Sequence, residues 1–203
     1  MTLRPFLVLL TLLGLAGCAS SPSPAIEYYL LTPPVTARDS VIERPDQPTL
    51  VIESVDLAAY LKQSGMIIQT GDHQLQVSRT HLWAESLDLA LPKALVRALQ
   101  HQSDQYSYYL KNVDWVGQTD YRLRLRIDSL QATDHGEVVS AGRFQLISAS
   151  DTETPVFVDF AFRRDLQEDG YSDAVSQISA LIGEIAAAII DSLNEMAETK
   201  EAG

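Results

Sequence analysis

The sequence predicts an α+β fold, with a mainly antiparallel sheet and two helices packed on one face as a two-layer sandwich. Three observations carry this expectation. Tyr121-Arg122-Leu123-Arg124-Leu125-Arg126-Ile127 alternates apolar and charged residues without a break, as a half-buried strand does. Two apolar runs, 66–70 and 75–78, flank Gly71-Asp72-His73, the pattern of a hairpin. Near the end, Val175, Ile178, Ile182, Ile185 and Ile189 recur at helical spacing and form one apolar stripe.

In chain order, Arg4 precedes an apolar run over 6–13. That run is far shorter than the roughly 20 residues that span a bilayer and has the flanks of a secretory signal. Leu15-Ala16-Gly17-Cys18 follows at once and contains the only cysteine of the chain. It looks like the lipobox of a bacterial lipoprotein: small residues let the backbone enter a signal peptidase, and the thiol takes up the diacylglycerol. Residues 1–17 are therefore expected to be a lipoprotein signal peptide. Cys18 is expected as the mature N-terminus, acylated on sulfur and, by palmitate or a similar chain, on its amine. Two or more acyl chains anchor a protein stably where one holds it marginally. Ala19, rather than Asp, follows the cysteine and favours the outer membrane over inner-membrane retention.

Residues 18–26 form the lipidated N-terminus and a short tether stretched by its prolines. The remaining body, 27–197, reads as one domain. Tyr28 to Leu31 is a short strand candidate. Residues 35–48 read as a surface loop, and 49–55 as a strand. Residues 83–100 are helical, with Leu87, Leu91, Leu95 and Leu99 in register. Pro92 is expected to kink that helix or to move its start to about residue 90. Strands are expected over 106–110, 121–127, 138–148 and 156–163, with turns at 133–136 and 169–170. The last helix is expected over 172–196 with Ser172 as N-cap.

The balance of 15 Lys+Arg against 27 Asp+Glu, a net charge of −12, argues against a nucleic-acid partner, which needs basic patches. Loss of Arg4 with the signal makes the mature chain −13, so lipid rather than charge would hold it at an anionic membrane. One cysteine excludes a disulfide framework or a thiolate zinc cluster within the chain. His73, His81, His101 and His135 have no metal-ligand spacing, and no nucleophile elbow, phosphate loop or dinucleotide fingerprint is present. The sequence thus predicts no enzyme, no metal and no cofactor.

Three features point to contacts instead. Arg122, Arg124 and Arg126 share one strand face, either as a cationic stripe for an acidic partner or lipid headgroups, or as a solvated face paired with acidic neighbours. The acidic balance of the chain favours the second. Tyr28 and Tyr29 point to opposite faces, so one is core and the other is free to touch lipid or a partner near the tether. Leu181, Ile190 and Leu193 widen the last helix beyond its stripe, and Leu193 is a candidate for an intersubunit contact.

Several segments together resemble the ABC-type transport auxiliary lipoproteins, the PqiC-like family of intermembrane transport lipoproteins. They are the lipobox, Tyr28-Tyr29-Leu30-Leu31, Val51-Ile52-Glu53-Ser54-Val55, and Tyr60-Leu61 leading into Met66-Ile67-Ile68-Gln69-Thr70. His81-Leu82-Trp83-Ala84-Glu85-Ser86-Leu87 and Asp169-Gly170-Tyr171 complete the set. The family usually has a proline where this chain has Ser86. The resemblance implies a lipid-anchored, periplasm-facing protein of the outer membrane that docks onto an MCE-domain protein, whose tunnel carries lipid between two membranes. Such docking favours a homo-oligomeric ring. Two other readings stay open: a lipid-binding carrier, which an apolar cavity between sheet and helices would favour over a filled core, and a lipid-anchored hydrolase, which would need a cleft with convergent polar residues.

Overall fold

A computed structural model describes residues 24–31, 47–111, 118–151 and 154–201. The lipobox and Cys18 lie outside the described residues, as does most of the segment expected as a loop over 35–48. The elements run β1 (Glu27–Tyr29), β2 (Thr49–Leu57), a 3-10 turn (Ala59–Lys62), β3 (Gly65–Gly71), β4 (Gln74–Trp83) and α1 (Leu87–Gln102). They continue with β5 (Ser107–Leu110), β6 (Tyr121–Thr133), β7 (Glu137–Ser148), β8 (Val156–Asp165) and α2 (Tyr171–Glu201).

The fold is α+β, and its organising strand is β6. One edge of β6 pairs antiparallel with β7 along nearly all its length, and β7 pairs antiparallel with β8. The other edge is divided. Tyr121 to Ile127 pair in parallel with β2, which pairs in parallel with β5. Ala132 and Thr133 pair in parallel with β3, whose antiparallel hairpin partner β4 carries β1. The antiparallel ladders are the longer ones, but the pairings of β2, β5 and β1 are parallel, so the sheet is mixed. These parallel partners are separated by at least 50 residues, and such crossovers leave no local signature.

The alternation in β6 does what its pattern demands. Tyr121, Leu123, Leu125 and Ile127 are buried, while Arg124 and Arg126 are exposed on the other face. A bulge between Ile127 and Ser129 then changes the phase, so that Leu130, Gln131 and Ala132 are all buried. Gly142 sits opposite Ile127 at this point. A Cβ there would lie 2.0 Å from the Arg126 carbonyl oxygen, so only glycine fits without moving the backbone.

Two details of the helices differ from the sequence expectation. First, α1 begins at Leu87, five residues ahead of Pro92, with Ser86 as N-cap. The proline forfeits only the bond to the Asp88 carbonyl, in an exposed first turn, and the buried Leu87, Ala90 and Leu91 hold that turn down. Second, α2 begins at Tyr171, with Gly170 accepting from the Ala174 amide. Ser172 is thus inside the first turn. Asp173 organises the approach instead: its carboxylate accepts from the Gln167 and Glu168 amides, which hold its pKa below the usual carboxylate value despite desolvation.

Both helices contact the sheet, α1 through β2 and β5 and α2 through β7 and β8, and they pack on each other. The α2 stripe is buried from Ile178 through Ile182, Ile185 and Ile189, whereas Val175 is only half-buried. Among the described residues α2 is the one helix long and apolar enough to cross a membrane, but half of its most apolar stretch is buried in the fold.

Candidate functional site

Two neighbouring features stand out, a surface where the tether enters and a cavity behind it. Neighbouring side chains along β1 point to opposite faces, and the residues on either side of it continue the two rows. Ile26, Tyr28 and Leu30 are 55%, 65% and 53% exposed, whereas Tyr29 is half-buried and Leu31 buried. An apolar outer stripe thus follows the tether directly. The inner side is fastened by polar contacts: the Tyr29 hydroxyl donates to Glu27 Oε2 at 2.6 Å and lies 3.1 Å from His81 Nδ1, and the His81 ring stacks on Tyr171 at 3.8 Å. The hydrogen bond to the Glu27 carboxylate, with desolvation, pushes the Tyr29 phenol up to about 12. Sequence reading did not single out His81 with Tyr171, because these residues are 90 positions apart and meet only where the start of α2 comes to lie beside β4.

Behind Tyr171 lies a cavity of about 370 Å³. Its walls are the 3-10 turn, β3, the second half of β6, and the starts of α1 and α2. Leu61, Met66, Trp83, Leu130, Ala132 and Ile178 are buried side chains that line it. Gln131 is the buried polar residue of the lining. Its amide donates to Gln69 Oε1 at 3.1 Å, and its carbonyl accepts from the Tyr60 hydroxyl at 3.0 Å and the Leu130 amide at 2.8 Å, so the wall carries no unpaired amide there. The exposed lining residues Asp134, Gly136, Asp169 and Gly170 place the mouth at two turns, which are joined by the Leu166 amide donating to the Gly136 carbonyl at 2.8 Å.

The other sequence-predicted positions are distributed over the fold. Arg122 and Arg124 converge on Glu53, at 3.8 and 2.7 Å, because the β2 bulge between Ile52 and Ser54 places Glu53 between them. Lys111 reaches the same carboxylate at 3.9 Å, and Glu53 is only 10% exposed. Arg126 pairs with Asp128 at 3.0 Å. Next to it, Arg143 forks onto Asp159, which holds that carboxyl below its usual range. The stripe is therefore a charge-paired sheet face. Three cations share Glu53, which leaves a local positive excess in an acidic protein.

Leu193 needs correction as an intersubunit contact. It is fully buried within the chain, as is Leu181, and Ile190 is partly buried. The helix is wider than one stripe because it meets both the sheet and α1. Among the described residues no group of His, Cys, Asp and Glu is placed to hold a metal ion.

A family model described as the ABC-type transport auxiliary lipoprotein component matches residues 29–190. The chain is 24% identical over 196 residues to the intermembrane transport lipoprotein PqiC of Escherichia coli (strain K12), spanning 96% of this chain and 100% of that protein. The protein of the same name from Shigella flexneri matches equally. Among solved structures, an uncharacterized protein superposes with a TM-score of 0.70 at 23% identity, covering 84% of this chain and 99% of its own. Protein XCC0632 from Xanthomonas campestris follows at 0.65 and 14% identity, covering 87% and 100%. At these identities the structural likeness speaks for the fold.

Proposed function

The chain belongs to the ABC-type transport auxiliary lipoprotein family, and from that premise we propose that it is a lipid-anchored component of an intermembrane transport system. In this reading it is non-enzymatic, is held in the outer membrane by acylated Cys18, faces the periplasm and docks onto an MCE-domain protein. Residues 1–17 are the signal peptide recognised through Leu15, Ala16 and Gly17. Residues 18–26 are the tether and 27–197 the docking domain. The observation that carries the reading is the match of the family over residues 29–190, from the end of the first strand into the last helix.

The geometry supports it. Eight Cα–Cα steps lead from Cys18 to Ile26, a reach of at most about 29 Å, so β1 and its exposed Tyr28 stay near the lipid surface. The outer sheet face, with Arg122, Arg124 and Arg126, is the docking face for an acidic patch on the partner, and electrostatic complementarity there sets orientation more than affinity.

Affinity purification of the lipoprotein from cross-linked membranes tests this reading. An MCE-domain protein identified by mass spectrometry is the expected product, and Arg122→Glu with Arg124→Glu should remove it from a folded, lipidated bait. A folded, lipidated protein that brings down no MCE-domain protein sinks the docking role. Cys18→Ser should abolish outer-membrane fractionation. An unmodified residue 18 inside a longer native chain, seen by mass spectrometry, removes the anchor.

The cavity favours a second reading, that the domain also holds lipid. The interior is packed at one end and open at the other, so the docking and carrier roles are compatible in one domain.

A further inference from the structure

We infer that the cavity at the second half of β6 is a binding site for one acyl chain of a zwitterionic or neutral amphiphile, with the head at the two turns that form its mouth. The volume of about 370 Å³ falls within the range of about 300–1,000 Å³ for small-molecule sites. The buried part of the lining is aliphatic and aromatic. Leu61, Trp83, Leu87 and Ile178 are each at most 8% exposed, and no charged residue lies among them. Such walls match methylene groups, and the buried amide, Gln131, is already satisfied by Gln69, Tyr60 and Leu130.

The space is kept by small residues in two of its walls, Ala132 on β6 and Ala174 on α2, both buried in the lining. The mouth is kept clear by glycine. At Gly136 and Gly170 an added Cβ would meet nothing within 4 Å. Both glycines have positive φ, +77° and +124°, so their turns exclude most side chains.

The head-group preference follows from the rim. Asp134 and Asp169 line the mouth. Beside Asp134 the His135 ring, 84% exposed, lies with its Nε2 3.7 Å from the carboxylate. An anionic head placed at this rim meets like charge, whereas an ammonium or an uncharged head does not. The location is suited to lipid, since Trp83 in the wall is paired with Tyr29 of β1, and β1 begins where the tether ends. The acyl chain has two available sources, an exchangeable membrane lipid and the chain's own group on Cys18. The inference rests on the transport-lipoprotein reading only for the supply of lipid, because the site itself is defined by the walls.

Trp83 supplies the test. The chain has two tryptophans, and Trp115→Phe leaves Trp83 as the one indole. The full-length lipoprotein carrying Trp115→Phe is reconstituted in vesicles of chain-brominated phosphatidylcholine, and Trp83 emission is compared with that in unbrominated vesicles. Bromine quenches only at close range, so Trp83, which lines the cavity and is 7% exposed, reports on bromine brought against this wall, and the cavity-filling variant tells bromine inside from bromine outside. Strong quenching is expected, and Ala174→Phe, which fills the space, should restore emission. If Ala174→Phe does not fold, Ala132→Leu serves.

A parallel sample with Cys18→Ser separates the sources. Quenching in both samples assigns the site to exchangeable lipid, and quenching only without the anchor assigns it to the chain's own acyl group. No quenching in either folded sample overturns the inference, as does quenching that survives a folded cavity-filling variant. Brominated phosphatidylglycerol should quench less, and equal or stronger quenching by it overturns the head-group assignment. Failure to recover an MCE-domain partner would leave every one of these readouts unchanged.

Discussion

The two ends of β6 build different interiors. At the first end, Leu123, Leu125 and Ile127 lie in one buried cluster with Leu50 of β2 and Leu95 and Leu99 of α1, all at most 1% exposed. At the second end, Leu130 and Ala132 face a 370 Å³ space together with Ala174 of α2. One strand and one helix pair thus supply both a close-packed core and a cavity. The switch between them is local: the bulge between Ile127 and Ser129 shifts the side-chain phase, and the partner strand changes from β2 to β3. The difference teaches that stability and ligand capacity are assigned to separate halves of one sheet, so each half can be altered with little effect on the other.

The largest expected effect tests that separation. Leu125→Ala removes a side chain surrounded on all sides and should cost up to about 5 kcal/mol, the upper range for a buried leucine. Leu130→Ala enlarges an existing space, where fewer packing contacts are lost, and should cost only about 2 kcal/mol. Denaturant midpoints at unchanged m-value give both numbers. Equal costs at the two sites would mean that the second end is packed as tightly as the first.

Next comes the junction. Gly142→Ala forces a Cβ against the Arg126 carbonyl and 2.9 Å from the Phe160 ring, with backbone on one side that cannot swing away. A loss of about 3 kcal/mol is expected, as for severe overpacking. Gly136→Ala at the cavity mouth meets open space and incurs only the positive-φ strain, about 1–2 kcal/mol. Thermal melting of the pair orders them. If Gly136→Ala proves the worse, the mouth is more constrained than its geometry says.

Filling should then have opposite signs at the two ends. Ala94→Phe on α1, with Ala94 buried in the packed region, should destabilise by about 1–3 kcal/mol. Ala174→Phe should be neutral or stabilise by about 0.5–2 kcal/mol, as cavity filling does. Opposite shifts in melting temperature support the contrast, and two losses of similar size break it.

How much of this was legible in the sequence differs between the two ends. The packed end was readable because its signals are local: the β6 alternation, the leucines of α1 at four-residue steps and the isoleucines of α2. The hairpin at Gly71 was readable for the same reason, through its turn chemistry. The parallel pairing of β2 with β6 and β5 was not, since nothing in a parallel strand names a partner 70 residues away. The cavity was not, because Ala132 and Ala174 look like ordinary small residues until the fold brings both into one lining. Leu193 was misplaced because a wide apolar helix face reads the same whether it meets α1 or another subunit.

The smallest expected effect concerns the rim of the open end, which polar contacts hold together. Tyr29, His81 and Tyr171 tie β1 to the start of α2, and Tyr171 itself lines the cavity. Tyr29→Phe keeps the tilted ring contacts with His81 and Tyr171 and removes the hydroxyl bonds to Glu27 and His81, a set worth about 0.5–1.5 kcal/mol at most. The pH dependence has a defined sign. The folded-state Tyr29 phenol titrates near 12 against 10 for the free side chain, so the folded state retains the proton that the unfolded state releases first. The contribution is complete below pH 10 and falls away as pH rises from 10 through 12. Tyrosine-ring NMR titration should show Tyr29 ionising well after the exposed Tyr28, and alkaline unfolding of Tyr29→Phe should show a weaker loss over that window than the parent. Ionisation of Tyr29 together with Tyr28 near pH 10 would mean that the Glu27 bond does not persist in solution.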